Sequence, residues 1–256
     1  MARNRKIRPV GHEDRLSLVD HLDELRTRII LSLVTFGVAL ALCFWQNHLI
    51  LRIVNDPLNG RKPITLGVAE PFTTTFTLSA YAAILIALPV VLYQLYAFIL
   101  PAFTPGERRV AMPLLLMVPF LFLGGVVFGY YVVLPAALKF LLHFNTDQFR
   151  VEIRARDYYG FVSMTLIACG LLFQIPVAIL GLNRLGIVTP RQLRKNRRYA
   201  ILAIAVLAML LPGVDPVSML IEMVPMIVLY ELSILLAVAF GRPSKEVSDQ
   251  IVSAEG

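Results

Sequence analysis

Six apolar runs, Ile29–Trp45, Phe72–Leu100, Val110–Leu138, Tyr158–Leu182, Tyr199–Leu211 and Met219–Phe240, take up most of the 256-residue chain and dictate its solvent. A helix needs about 20 mostly apolar residues to cross a hydrocarbon core of roughly 30 Å. Within that core each backbone N–H and C=O must be satisfied inside the segment, which a helix achieves and irregular chain does not. The expected fold is all-α: a polytopic membrane protein with six transmembrane helices. Hydrophobic residues make up 57% of the sequence, so little chain is left for a separate soluble domain. Residues 1–240 read as a single six-span membrane domain that opens with a mobile basic segment over 1–15, and residues 241–256 read as a cytoplasmic tail.

The net charge of +7 is distributed as a topology signal. With a cytoplasmic N-terminus and six crossings, 17 of the 24 Lys and Arg residues fall in inner segments and 7 in outer ones. That asymmetry predicts an N-in, C-in protein and no nucleic-acid partner. Cys43 and Cys169 lie within apolar runs and read as small apolar filler. The four histidines have no metal-ligand spacing and no CxxC occurs, so neither a metal nor a cofactor is expected. HExxH and GxSxG are also absent, and the chain does not read as an enzyme.

Local signals place the helix ends. Ser17 with Asp20 resembles a helix start, and Leu18, Leu22, Leu25 and Ile29 follow at helical spacing. This predicts an amphipathic helix lying at the membrane surface and running into the first span. Asp56-Pro57 and Asn59-Gly60 mark turns in the long connection Gln46–Pro71, expected to cap the outer membrane face. Thr104-Pro105-Gly106-Glu107 and Thr189-Pro190-Arg191-Gln192 both have the form of a capping box with proline at the first helical position. Pro89, Pro113, Pro119, Pro135, Pro176 and Pro225 predict kinks and a curved bundle. Gly124, Gly125, Gly129 and Gly170 are positions for close helix approach. Tyr199–Leu211 has only 13 residues, about 20 Å of helix, so the bilayer must thin there or a partner helix must cover the mismatch.

Polar groups inside spans are costly and ask for partners. Gln174 lies mid-span, where its amide suits either a carbonyl freed by a neighbouring proline or a cavity contact. Glu222 and Glu231 are nine residues apart, on roughly opposite faces of one helix, with Glu222 near the outer end, where it can snorkel, and Glu231 deeper. A secondary transporter or channel for a small solute would use these three as pathway groups, but the symmetric halves common in such folds are missing. At the inner surface Glu24 is spaced to pair with Arg28, and Glu107 to close its capping box.

A set of short stretches carries a resemblance. They are His21-Leu22-Asp23-Glu24-Leu25-Arg26, Pro57, Glu70-Pro71-Phe72, and Leu92-Tyr93-Gln94-Leu95-Tyr96-Ala97-Phe98 through Pro101 to Glu107-Arg108-Arg109. Ile175-Pro176-Val177-Ala178, Gly186-Ile187, Leu193-Arg194-Lys195, Asp215 and Tyr230-Glu231 continue it. Over residues 16–240 the chain resembles the TatC subunit family of the twin-arginine protein translocase. The resemblance implies a cup-shaped bundle of six helices in the plasma membrane that binds twin-arginine signal peptides of folded cargo at the cytoplasmic face. Glu24 and Glu107 occupy the positions that receive the signal's arginines, with Phe98, Arg26, Arg108 and Arg109 in the same region. It further implies TatA- and TatB-type single-span partners near the fifth and sixth spans, self-oligomerisation in the receptor complex, and transport driven by the proton-motive force. Pro57, Asp215 and Glu231 are candidate structural or functional positions. Many relatives carry glutamate where this chain has Gln174, so a mechanism needing a titrating carboxylate there does not carry over, and Gln174 is a candidate contact only.

Overall fold

Because an apolar run in a membrane must satisfy its own backbone, the runs become helices. The computed structural model describes residues 12–99, 105–148, 151–184, 186–210 and 216–240. In chain order the helices are α1 (His12–Trp45), α2 (Asn47–Asn55), α3 (Glu70–Ile99), α4 (Pro105–Phe128), α5 (Leu134–His143), α6 (Ala155–Leu172), α7 (Ile175–Arg184), α8 (Pro190–Lys195), α9 (Arg197–Leu210) and α10 (Pro216–Phe240). The described residues form no strand, and their only extended pairing is an isolated bridge between Ile64 and Arg154.

Among the described residues, five helical stretches are long and apolar enough to cross a membrane: His21–Trp45, Glu70–Ile99, Leu115–His143, Ala155–Asn183 and Met219–Ala239. The chain is thus a multi-pass, all-helical membrane protein. The remaining run folds as α9, whose 14 residues give about 21 Å of helix.

Prolines act differently according to what surrounds them. Pro89 and Pro225 lie inside unbroken α3 and α10. Pro135 follows a π-helical turn over Gly129–Val133, in which the Leu134 N–H reaches back to the Gly129 carbonyl. The extra residue of such a turn relieves the clash a proline ring makes with the turn before it. Pro176 coincides with a full break, because α6 ends at Leu172 and α7 begins at Ile175.

Two local expectations need correction. Ser17 does not begin a helix, since α1 starts at His12 and runs without interruption through the first span. The helix does run into the first span as expected, but Ser17 lies within it, where an N-cap role has no place. Of the four glycines, Gly125, Gly129 and Gly170 make close approaches and Gly124 does not. A Cβ on Gly125 would come within 2.5 Å of the Cys169 carbonyl oxygen, and one on Gly170 within 2.6 Å of Phe122, so α4 and α6 cross at backbone distance. Cys43 and Cys169 are both buried and unpaired, as filler residues should be.

The connection after α1 caps the bundle itself. Val54 and Leu58 bury against Leu78, Leu134, Leu138, Tyr158 and Tyr159. A helix leaves its last carbonyls without internal partners, and α2 has these met by tyrosines from neighbouring helices. The Tyr130 hydroxyl donates to the Ile53 carbonyl at 2.7 Å, Tyr158 to that of Val54 at 2.6 Å, and Tyr159 to Asn55 Oδ1 at 3.1 Å. Pro57 follows in a 3-10 turn, Asp56–Leu58, which ends at Asn59 in the left-handed region (φ 50°). At α8 the capping box forms as its sequence predicts: Gln192 N–H donates to Thr189 Oγ1 at 3.3 Å, and Thr189 N–H to Gln192 Oε1 at 2.9 Å.

Candidate functional site

Helices α1 and α3 pack side by side and bring together residues 66 positions apart. Glu24 and Arg28 are one turn apart on α1, so the Arg28 guanidinium reaches back to the carboxylate, with Nε donating to Glu24 Oε1 at 3.0 Å and Nη2 to the same oxygen. Arg28 Nη1 donates across to Gln94 Oε1 on α3 at 2.8 Å. His21, a turn before Glu24, stacks on Phe98 with ring centroids 4.2 Å apart and planes 12° from parallel. Its Nδ1 lies 3.8 Å from Glu24 Oε2, beyond hydrogen-bond length.

Arg28 thus grips Oε1 of Glu24 and leaves Oε2 outside its grip, and the residue lines an open groove of about 470 Å³ with Asp23, Thr27, Arg28, Leu31 and Gln94. A half-exposed carboxylate beside an aromatic stack, at the end of two spanning helices, suits a planar cation donating two parallel hydrogen bonds. Arg26 is exposed on α1 and does not line the groove. Glu107, Arg108 and Arg109 are in the first turns of α4, but their side chains lie outside the described residues, as does the Thr104 cap. Six chain steps separate Ile99 from Pro105, at most about 21 Å, so α4 starts on the same membrane side as the cluster.

The opposite end of α3 carries a site that sequence reasoning missed. Glu70 Oε1 accepts from Arg154 Nε at 2.8 Å, and Oε2 accepts from the backbone N–H groups of Leu66 (2.7 Å) and Gly67 (3.1 Å). The Ile64–Arg154 bridge closes beside it, with Ile64 N–H donating to the Ile153 carbonyl and Ala155 N–H to that of Ile64, both at 2.8 Å. The hydrogen bond to Glu70 holds the Arg154 guanidinium pKa above its ordinary value. An acid opening an apolar run was the available signal, but nothing local identifies a partner 84 residues away.

The remaining candidates lie apart from this cluster. Gln174 is buried at the α6–α7 break and donates through Nε2 to the Val118 carbonyl at 3.1 Å, while its Oε1 has no partner among the described residues. That carbonyl is not one freed by proline, because Pro119 releases the carbonyl of Leu115, so the expected rationale for the bond does not apply. The two acids of α10 exchange their expected settings. Glu222 is 3% exposed and lines a small void with Cys169, Phe173 and Met226, whereas Glu231 is half-exposed and pairs with Arg197 Nη2 at 2.6 Å. Burial against α6 removes the path by which Glu222 would snorkel. Glu231 instead ties the start of α9 to α10, beside a Tyr230 hydroxyl that donates to the Leu193 carbonyl at 2.9 Å. Pro57 belongs to the opposite cap, and Asp215 lies outside the described residues.

Residues 20–225 match the family described as Sec-independent protein translocase protein (TatC). The Sec-independent protein translocase protein TatC of Desulforapulum autotrophicum is 32% identical over 248 residues, covering 95% of this chain and 91% of that protein. Its counterpart in Deinococcus radiodurans is 37% identical over 232 residues, 87% of this chain and 86% of that one. Among solved structures, the crystal structure of the twin-arginine translocase receptor TatC in DDM aligns with a TM-score of 0.75 at 34% identity, covering 84% of this chain and 98% of that chain.

Proposed function

The chain belongs to the TatC family of Sec-independent protein translocases, and from that premise we propose that it is the receptor subunit that binds twin-arginine signal peptides. The observation carrying this reading is the Glu24 carboxylate, half-exposed at the boundary of two spanning helices and lining a groove, with Oε2 outside the grip of Arg28. A guanidinium presents donors in a rigid fork and matches a carboxylate at two points, which an ammonium cannot do. Glu107, from the first turn of α4, is assigned the second arginine. The His21–Phe98 stack supplies an apolar wall for the residues flanking the pair. Arg26, Arg108 and Arg109 keep the surrounding field positive, so a peptide is selected by hydrogen-bond geometry more than by net attraction.

The same reading sets the protein in the plasma membrane with both termini inside and α9 as a sixth, short crossing, in keeping with the basic asymmetry of the sequence. Leu202, Val206 and Met209 on α9 and Leu220, Val224 and Val228 on α10 are exposed apolar side chains. They make the short hairpin the docking face for TatA- and TatB-type single-span partners, whose helices would cover its mismatch with the bilayer. The proton-motive force then drives transport of the folded cargo.

The test is photo-crosslinking of a twin-arginine signal peptide, scanned along its length, to membranes carrying Glu24→Gln, Glu107→Gln or both. Each single change should leave the protein inserted and abundant and weaken crosslinking by about tenfold or more, the usual consequence of losing a charged hydrogen-bond partner. Undiminished crosslinking in the double variant would return both acids to helix-end chemistry.

A further inference from the structure

Arg28 occupies the position that a signal arginine would take. It donates to Glu24 Oε1 through Nε and Nη2, and the third arm of its fork, Nη1, is already lodged on Gln94 Oε1. The side chain is 22% exposed, sheltered more than the 36%-exposed carboxylate it covers. The guanidinium therefore sits between two acceptors on different helices, one charged and open to the groove, the other neutral and on α3.

We propose that Arg28 is a tethered placeholder for the signal-peptide arginine and that Gln94 is the parking site that retains it when the signal peptide takes Glu24. This rests on the reading of Glu24 as a receptor carboxylate and adds the regulation of that site. In the resting protein Glu24 is charge-compensated by its own neighbour, so a stray cation finds it engaged. An incoming guanidinium enters from the groove and takes the carboxylate as Arg28 leaves Oε1. Arg28 loses its charged partner, and the N–H groups this frees turn to Gln94, so the Gln94 contact counts for more in the displaced state than in the resting one.

The physical consequence is a threshold on affinity. A site that is competent only when its internal occupant has moved binds every ligand more weakly by the same factor, the reciprocal of the competent fraction. Ligands with a strong two-point grip remain bound at working concentrations, whereas one-point ligands such as a lysine ammonium, weaker to begin with, are pushed further from saturation. The device thus suppresses weak cations without altering the intrinsic ratio between arginine and lysine.

The experiment uses the purified full-length protein in nanodiscs and two fluorescent peptides, one with an arginine pair and one with a lysine pair, measured by anisotropy. Arg28→Gln should tighten both peptides by the same factor, about two- to fivefold, the size expected of an exposed helical ion pair. Gln94→Ala removes the parking site and should weaken the arginine peptide by a comparable factor. In the Arg28→Gln background, Gln94→Ala should then have no effect, since nothing remains to be parked. If Arg28→Gln is not recovered from membranes, Arg28→Lys replaces the fork by a single point and should give a smaller tightening of the same sign. Equal Gln94→Ala effects in both backgrounds, or an Arg28→Gln that weakens binding as Glu24→Gln does, would overturn the placeholder while leaving Glu24 as the receptor. Unchanged binding in Glu24→Gln would remove the receptor reading itself, and the placeholder with it.

Discussion

The two ends of α3 carry the same pair of groups and treat them in opposite ways. At its start Glu70 is 8% exposed, and both oxygens are engaged, one by Arg154 and the other by two backbone N–H groups. At its far end, 24 residues and about 36 Å away, Gln94 meets the Arg28 that grips one oxygen of a 36%-exposed Glu24, and the acid lines a groove with its other oxygen outside that grip. A carboxylate whose acceptors are all filled from within the chain stitches elements together, here the connection before α3 and the start of α6. One with an oxygen left over can take a ligand. The difference lies in the backbone N–H groups of Leu66 and Gly67 that fill the second oxygen of Glu70, since the acid–arginine contact is common to both.

The largest effect that would break this contrast is on thermal stability. Glu70→Ala strands two N–H groups and Arg154, and should lower the unfolding midpoint in detergent by about 5 °C or more, whereas Glu24→Ala should shift it by less than about 2 °C. Equal losses would mean that exposure does not separate the two pairs. Next comes the cap at the Glu70 end. Tyr158→Phe leaves the Val54 carbonyl without its buried donor and should cost about 1–3 kcal/mol, seen as faster hydrogen exchange over residues 47–58. Binding of the arginine peptide, at the opposite end, should not change.

Thr189→Ala removes one half of a capping box near the Glu231 end of α10, and an N-cap of this kind is worth about 1 kcal/mol. Loss of peptide binding in this variant would extend the site beyond α1 and α3. The smallest effect belongs to Glu231→Gln. Its pairing with Arg197 is solvent-facing on both sides, so it should contribute under about 1 kcal/mol to stability. A larger loss would show that exposure alone is a poor guide to what an ion pair does here.

Much of this was legible in advance where the cause is local. Apolar length set five of the helical spans, proline chemistry anticipated the interruption before Pro176, and the Thr189–Gln192 spacing gave its capping box. The Glu24–Arg28 pair follows from helical periodicity alone. Periodicity also placed Glu222 and Glu231 on opposite faces but could not tell which face packs, and the order of burial came out reversed.

What the sequence determined by itself is the solvent, the helices, and contacts made within about one turn, because these depend on hydrophobic length and on spacings of three or four residues. Tertiary structure alone decided the contacts that give the site its character: Gln94 against Arg28, Glu70 against Arg154, and Tyr158 of α6 on the Val54 carbonyl near the end of α2. These join residues 66 to 104 positions apart. In a membrane, apolar faces look alike to lipid and to protein, so hydrophobic pattern does not specify which helices become neighbours. Close approach at Gly125 and Gly170, and the few polar groups that must find one another, supply that choice.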